Sequence, residues 1–92
     1  RGRLRLVASP DGADGSVTIH QDARIYAGLF DGVERAARAL APGRKAYLHV
    51  ARGKVEVNGT PLEAGDAAKM TSVSEVALEK GAGAEVLLFD LP

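Results

Sequence analysis

Hydrophobic and polar residues alternate in short segments along this chain, and turn-forming residues separate the segments. Near the start, Leu4 and Leu6 alternate with Arg3 and Arg5. Alternation with a period of two is typical of a strand with one buried face. Similar short segments follow, and they read "VTIH", "RIYAGLF", "AYLHVA", "KVEV", "EVALEK" and "EVLLFDL". The pattern predicts an all-β domain in which "VTIH" and "RIYAGLF" form a hairpin or a tight strand pair.

Glycine-containing turns are predicted between these segments, because the chain has 11 glycines and 4 prolines. We place turns at residues 11–16, 41–45, 52–53 and 58–62, and a hairpin loop at 81–84. Many short strands joined in this way favour a sandwich or a barrel. In a jelly-roll barrel the alternating apolar residues fill the interior. The candidates for these interior positions are Leu48, Val50, Val55, Val57, Val76, Leu78, Val86 and Leu88.

Residues 32–41, "GVERAARALA", fit two kinds of secondary structure. Alanine, arginine, glutamate and leucine are good helix formers, so propensity alone predicts one short helix. The segment is short for a helix, and its candidate N-cap is Asp31. We favour a strand because the segments on both sides are predicted strands of one barrel, and the sequence leaves the helix as the alternative.

The composition narrows the class of protein. A chain of 92 residues with 46% hydrophobic residues is expected to form one globular domain. Twelve basic residues balance 12 acidic ones, so charge gives no reason to expect a nucleic acid or a membrane as partner. No apolar run approaches the roughly 20 residues of a membrane helix, and no signal peptide is visible. The absence of cysteine excludes disulfides and thiolate sites, and we expect a cytoplasmic protein.

Three glycine-containing stretches carry a resemblance to a known superfamily. The spacing of "VARG" (50–53), "VNG" (57–59) and "LEAGD" (62–66) resembles that of cupins. Gly53 and Gly59 suit positive φ angles in tight hairpins, and Asp66 can cap backbone amides of the turn at Gly65. The longer stretches "RLRLVASPDGADGSVTIHQDARIYAGLF", "LAPGRKAYLHVARGKVEVNG" and "LEAGDAA" resemble the C-terminal half of the bacterial pirin-like bicupins.

The resemblance implies a fold and an organisation. The fold is the cupin-type double-stranded β-helix, a jelly-roll barrel formed by residues 1–92. The start at Arg1, without an initiator methionine, leads us to expect the C-terminal half of a longer two-cupin protein. Some members of that family are quercetin 2,3-dioxygenases, which open the heterocycle of a flavonol with O2 and release carbon monoxide. In the family the N-terminal barrel holds a divalent metal, usually iron, and the C-terminal barrel is commonly metal-free.

The metal-ligand positions implied by the resemblance carry no donor atoms. Counting from Gly53, the glutamate position falls at Ala46 and the two histidine positions fall near Leu40 and Pro42. The second cupin motif requires a histidine after Gly65, and none follows. Hydrocarbon side chains cannot ligate iron, zinc or copper. We therefore expect no metal site, no cofactor and no catalytic residue in this chain, whose partner would be the N-terminal cupin half.

The two histidines are interpreted as surface or interface residues. If Ala46 and Leu48 point into the barrel, Tyr47 and His49 point outward, because strand residues alternate between faces. His20 lies in opposite phase to the apolar Val17 and Ile19. We predict that Tyr47 and His49 contact the N-terminal half, while the alternative for the aromatic residues is packing in the core.

The sequence gives little support for other kinds of active site. Glu63 and Asp66 are interpreted as solvated turn residues, and the set Ser9, His20 and Asp22 lacks a nucleophile elbow. Two further functions stay open: a module that binds a small apolar molecule in the emptied barrel, and a regulatory interaction domain.

Overall fold

A computed structural model of the chain describes residues 2–19, 22–71 and 73–92. In this part of the chain the regular secondary structure is β-strand apart from one 3-10 turn at Ala13–Gly15, and no helix is long and apolar enough to cross a membrane. The predicted all-β class is confirmed. The strands are β1 Leu4–Ser9, β2 Val17–Thr18, β3 Arg24–Phe30, β4 Ala36–Ala39, β5 Lys45–Val57, β6 Thr60–Glu63, β7 Ala67–Thr71 and β8 Glu75–Leu91.

The two longest strands, β5 and β8, run antiparallel to each other and connect two halves of one sheet. In the large half, β3 pairs with residues 84–90 of β8, and β7 pairs with residues 45–49 of β5. β1 pairs with the other edge of β3, and β2 pairs with β1. The small half contains β4 and β6, which pair with residues 75–78 of β8 and 54–57 of β5. The favoured strand within residues 32–41 is confirmed as β4, because its backbone pairs with β8.

Two predicted turns are wrong, because β5 and β8 continue through them. The turn at 52–53 lies inside β5, and the hairpin loop at 81–84 lies inside β8. At Gly53 φ is 70°, and a Cβ atom there would collide with the carbonyl oxygens of Ala82 and Gly83. Glycine therefore serves to bend two strands past each other at close range rather than to reverse the chain.

The predicted pairing of "VTIH" with "RIYAGLF" is also wrong. β2 pairs in parallel with β1, and the neighbours of β3 are β1 and β8. The turn at 11–16 returns the chain beside β1, where the Ile19 amide donates to the Ser9 carbonyl at 2.9 Å. Val17 is 67% exposed, so β2 does not present an apolar face to the core. The prediction for His20 falls outside the described residues.

The core lies between the two halves of the sheet. All of the predicted interior residues are buried there, together with Tyr26, Phe30, Leu40 and Ala46. The Arg38 guanidinium stacks on the Tyr26 ring, 4.5 Å from its centroid, and this contact covers one edge of the core. Side chains therefore fill the interior of the barrel, and the concavities found along the described residues open at the surface.

Asn58 connects the β5–β6 turn to the beginning of β8. Its Nδ2 donates to the Glu75 carbonyl at 3.1 Å, and its Oδ1 accepts from the Ala77 amide at 2.8 Å. The residue has φ of 49°, a left-handed conformation that asparagine tolerates better than most residues. One side chain therefore joins a local turn to a distant strand.

We expect Asn58→Ala to lower the free energy of unfolding by about 2 kcal/mol, since it removes two hydrogen bonds and places alanine in the left-handed region. Urea unfolding measures this loss. Asn58→Asp is the matched control, because it keeps the acceptor for Ala77 and should lose less. Equal losses in the two variants would contradict this assignment.

Candidate functional site

The positions where the resemblance places metal ligands are apolar and lie in two environments. Ala46 is 1% exposed and Leu40 is 7% exposed, and both belong to the core. Pro42 is exposed in the loop before β5. Across the strand pair, Ala46 faces Met70, whose thioether is a weak acceptor and a soft ligand. In residues 2–19, 22–71 and 73–92, no three His, Cys, Asp or Glu side chains come together as a metal site would require.

Tyr47 and His49 point away from the core, as predicted. Tyr47 is 39% exposed, whereas Ala46, Leu48 and Val50 are at most 1% exposed. The Tyr47 ring meets the Phe89 ring edge-on, with centroids 6.0 Å apart. His49 is half-buried and lies opposite Leu87 on β8 and Ala67 on β7.

The two residues belong to a larger apolar surface, which we call the outer face. It is the outward side of β3, β5 and the second half of β8, and the cross-strand pairs Ile25–Phe89, Ala27–Leu87, Tyr47–Phe89 and His49–Leu87 bring its side chains together. Leu29, at its border, is 48% exposed. The outer face consists of Ile25, Ala27, Leu29, Tyr47, His49, Leu87 and Phe89.

A shallow concavity of about 480 Å³ lies at the border of the outer face. Ala27, Leu29 and Leu87 contribute its apolar part, and its charged lining comes from Arg3 just before β1, Arg5 on β1 and Glu85 on β8. Sequence reasoning missed this extension of the surface. The available signal was the loss of alternation in "EVLLFDL", because a strand with apolar residues in both phases is typically covered on both faces.

The Ser9 hydroxyl holds a turn through hydrogen bonds to neighbouring residues. Ser9 is fully buried. Its Oγ accepts from the Ala13 amide at 3.0 Å, lies 2.8 Å from Ser16 Oγ and donates to Asp11 Oδ1 at 3.2 Å. Hydrogen bonds from the Ala13 amide and then from Ser9 lower the pKa of the Asp11 carboxyl below its ordinary value. The Asp22 carboxylate pairs with Arg44 instead.

Arg44 organises the end of the barrel beside Ala46. Its guanidinium contacts the Asp90 carboxylate at 2.6 Å and the Asp22 carboxylate at 3.1 Å. It also donates to the backbone carbonyls of both aspartates, at 3.1 and 3.3 Å. The hydrogen bond to Asp90 raises the pKa of Arg44, and the bond to Asp22 acts in the same direction. These contacts tie the loop before β5 to the start of β3 and the end of β8.

Asp66 has the structural role that its position predicted. Its Oδ2 accepts from the Glu63 amide at 3.0 Å, and its own amide donates to the Glu63 carbonyl at 2.8 Å. The Asp66 carboxylate therefore caps this turn by accepting from the Glu63 backbone, as the sequence indicated.

Comparison with known proteins identifies related sequences and structures. The family described as "Quercetinase C-terminal cupin domain" matches residues 6–91. The chain is 33% identical over 88 residues to a quercetin 2,3-dioxygenase of Escherichia coli K12. The matched region covers 96% of this chain and 38% of that protein.

Solved structures agree in fold with this chain. The YhhW protein of Escherichia coli superposes with a TM-score of 0.94 at 32% identity, over all of this chain and 39% of the other. A structure of the same bacterial pirin in complex with nickel(II) gives a TM-score of 0.92, over 97% of this chain and 39% of the other. The chain therefore spans less than half the length of these relatives.

Proposed function

Because this chain belongs to the quercetinase C-terminal cupin family, we propose that residues 1–92 form the metal-free barrel of a pirin-like two-cupin protein. In this proposal the barrel supports an N-terminal cupin that binds a divalent metal and carries quercetin 2,3-dioxygenase-type activity. Catalysis then lies outside these residues, and the chain contributes packing and shape. The proposal keeps the cytoplasmic location expected from the composition.

One observation supports a metal-free barrel above all others: hydrocarbon occupies the buried ligand positions. Leu40 and Ala46 lie in the core without a nitrogen, oxygen or sulfur atom in their side chains. The cations that cupins of this kind hold require three or more donors. These residues do not fit a metal, so we assign the chain no chemical step on oxygen or on a flavonol.

The proposed partner is supported by the length of the relatives. Most of the Escherichia coli dioxygenase lies outside the part that this chain matches, and the family is described as a C-terminal domain. Tyr47 and His49 are the proposed contact with the N-terminal half, since both are outward and partly exposed. A tyrosine at a half-wet contact can bury its ring while its hydroxyl keeps a polar partner.

The alternative function, a ligand inside an emptied barrel, has no observation in its favour. The interior positions are filled by core side chains, so a ligand would have to displace them at a cost in stability. Along the described residues, no feature specific to a regulatory role supports that alternative either.

Metal analysis tests the proposed function. The 92-residue chain, incubated with excess iron(II), nickel(II) or zinc(II) and then desalted, should retain far less than one equivalent. The full-length protein treated in the same way should retain about one metal per chain, as expected for a single three- or four-ligand site. A full equivalent on the 92-residue chain, or flavonol turnover by this chain alone, would overturn the proposal.

A further inference from the structure

We propose that the whole outer face is the docking surface for the N-terminal cupin half, and that the partner presents an apolar centre flanked by carboxylates. This inference rests on the proposed two-cupin organisation. It extends the contact beyond Tyr47 and His49 and specifies the chemistry of the surface that covers them.

The centre of the outer face is apolar across three adjacent strands. Ile25 on β3 pairs with Phe89 on β8, which pairs in turn with Tyr47 on β5. In the next outward-facing row, two residues further along each strand, Ala27 pairs with Leu87, and Leu87 pairs with His49. These are continuous cross-strand rows rather than scattered apolar residues. A contiguous apolar patch of this kind on a sheet marks an interaction site.

Cations border the apolar centre on both sides. Arg5 on β1 lies opposite Ala27, and Lys69 on β7 lies opposite Tyr47. Among the described residues that point outward from these strands, the acidic one is Glu85. Its carboxylate already pairs with Arg52 at 2.9 Å. The chain as a whole has a net charge of zero, so the excess of positive charge is local. Carboxylates on the partner would complement both borders and set the orientation of docking.

The same charges disfavour a second copy of this chain as the occupant. In a two-fold symmetric pair, the same patch on both copies would face itself. Because Arg5 and Lys69 border opposite sides, either strand alignment brings cations against cations. Like charges placed opposite each other at an interface are costly. The N-terminal half of the proposed two-cupin protein can carry different residues and avoids this repulsion, and the matched part is only 38% of the length of the Escherichia coli relative.

Thiol labelling in the full-length protein tests the docking surface. This chain has no cysteine, so after replacement of cysteines elsewhere by serine, Leu29→Cys gives one thiol at the border of the outer face. Val33→Cys is the matched control on an exposed turn outside it. Leu29 is 48% exposed and Val33 is 97% exposed, so the barrel alone predicts about a twofold difference in rate with maleimide. Docking should slow Leu29→Cys by at least about tenfold relative to Val33→Cys, equivalent to about 1.4 kcal/mol.

Charge reversal tests the carboxylate borders separately. In the Leu29→Cys background, Arg5→Glu combined with Lys69→Glu should restore most of the labelling rate, because the borders would then repel the partner. Lys54→Glu, an exposed site on the small half of the sheet, should leave the rate unchanged. An unchanged rate in the double variant would refute the carboxylate borders.

Two other results would overturn the docking surface itself. Labelling of Leu29→Cys as rapid as that of Val33→Cys would show that the outer face is exposed to solvent and that no protein surface covers it. Protection that disappears on dilution would show that a second copy covers it. Both readouts are independent of metal content, so a failure here is distinguishable from a failure of the metal-free assignment.

Discussion

Replacing Gly53 by alanine should destabilise this domain more than any other single-methyl addition considered for this chain, by more than about 3 kcal/mol. The added Cβ would collide with the backbone carbonyl oxygens of Ala82 and Gly83, which cannot rotate away as a flexible side chain would. Alanine would also have to adopt a φ of 70°. Small domains are stable by only about 5–15 kcal/mol. The variant should therefore unfold at a clearly lower urea concentration than the unaltered protein.

Gly43→Ala is the matched control for this prediction. Gly43 also has positive φ, 82°, but no atom lies within 4 Å of the position that its Cβ would take. It should therefore lose only the conformational part, about 1 kcal/mol. Urea unfolding followed by circular dichroism gives both values. Equal losses at the two glycines would show that close approach of β5 and β8 contributes nothing.

Removing the Arg44 guanidinium should have the second largest effect. In Arg44→Met, the Asp90 carboxylate, which is 15% exposed, loses its ion pair and a 2.6 Å hydrogen bond while staying largely buried. Breaking a buried pair from one side typically costs about 3 kcal/mol or more. We expect a loss of about 3 kcal/mol in the free energy of unfolding, and a looser contact between the loop before β5 and the end of β8.

Two variants distinguish this ion pair from general loss of charge. Arg52→Met breaks the pair with Glu85, whose two side chains are 76% and 42% exposed, and should cost about 0.5 kcal/mol. Arg44→Met combined with Asp90→Leu removes both charges and should recover part of the loss, because no carboxylate is left buried without a partner. A single variant at Arg44 as mild as Arg52→Met would contradict a role for Arg44 in holding the barrel end together.

The Arg44 network lies in the region of the barrel that matters for the proposed function. Arg44, Ala46 and Leu40 lie at the end of the barrel where the resemblance locates a metal in other cupins. Here that end is held by an ion-pair network around an apolar core. An end held together in this way is consistent with the metal-free supporting role that we propose.

The pattern of residues was sufficient to predict the core and the face on which each strand residue lies. Leu48, Val50, Val76 and Val86 are buried as their alternation indicated, because a period of two relates sequence position directly to one side of a sheet. Tyr47 and His49 point outward for the same reason. The apolar character of the positions at which the resemblance places ligands follows from the sequence itself, since alanine and leucine have no donor atoms whatever the fold.

The tertiary structure alone decided how the strands continue and pair. Gly53 is compatible with a hairpin or with a bend, because glycine permits both, and only the close passage of β5 and β8 selects the bend. β2 pairs with β1 through contacts that local propensity does not encode. The outer face likewise emerged only when the structure placed β3, β8 and β5 side by side, since cross-strand neighbours are distant in sequence and their register depends on the whole sheet.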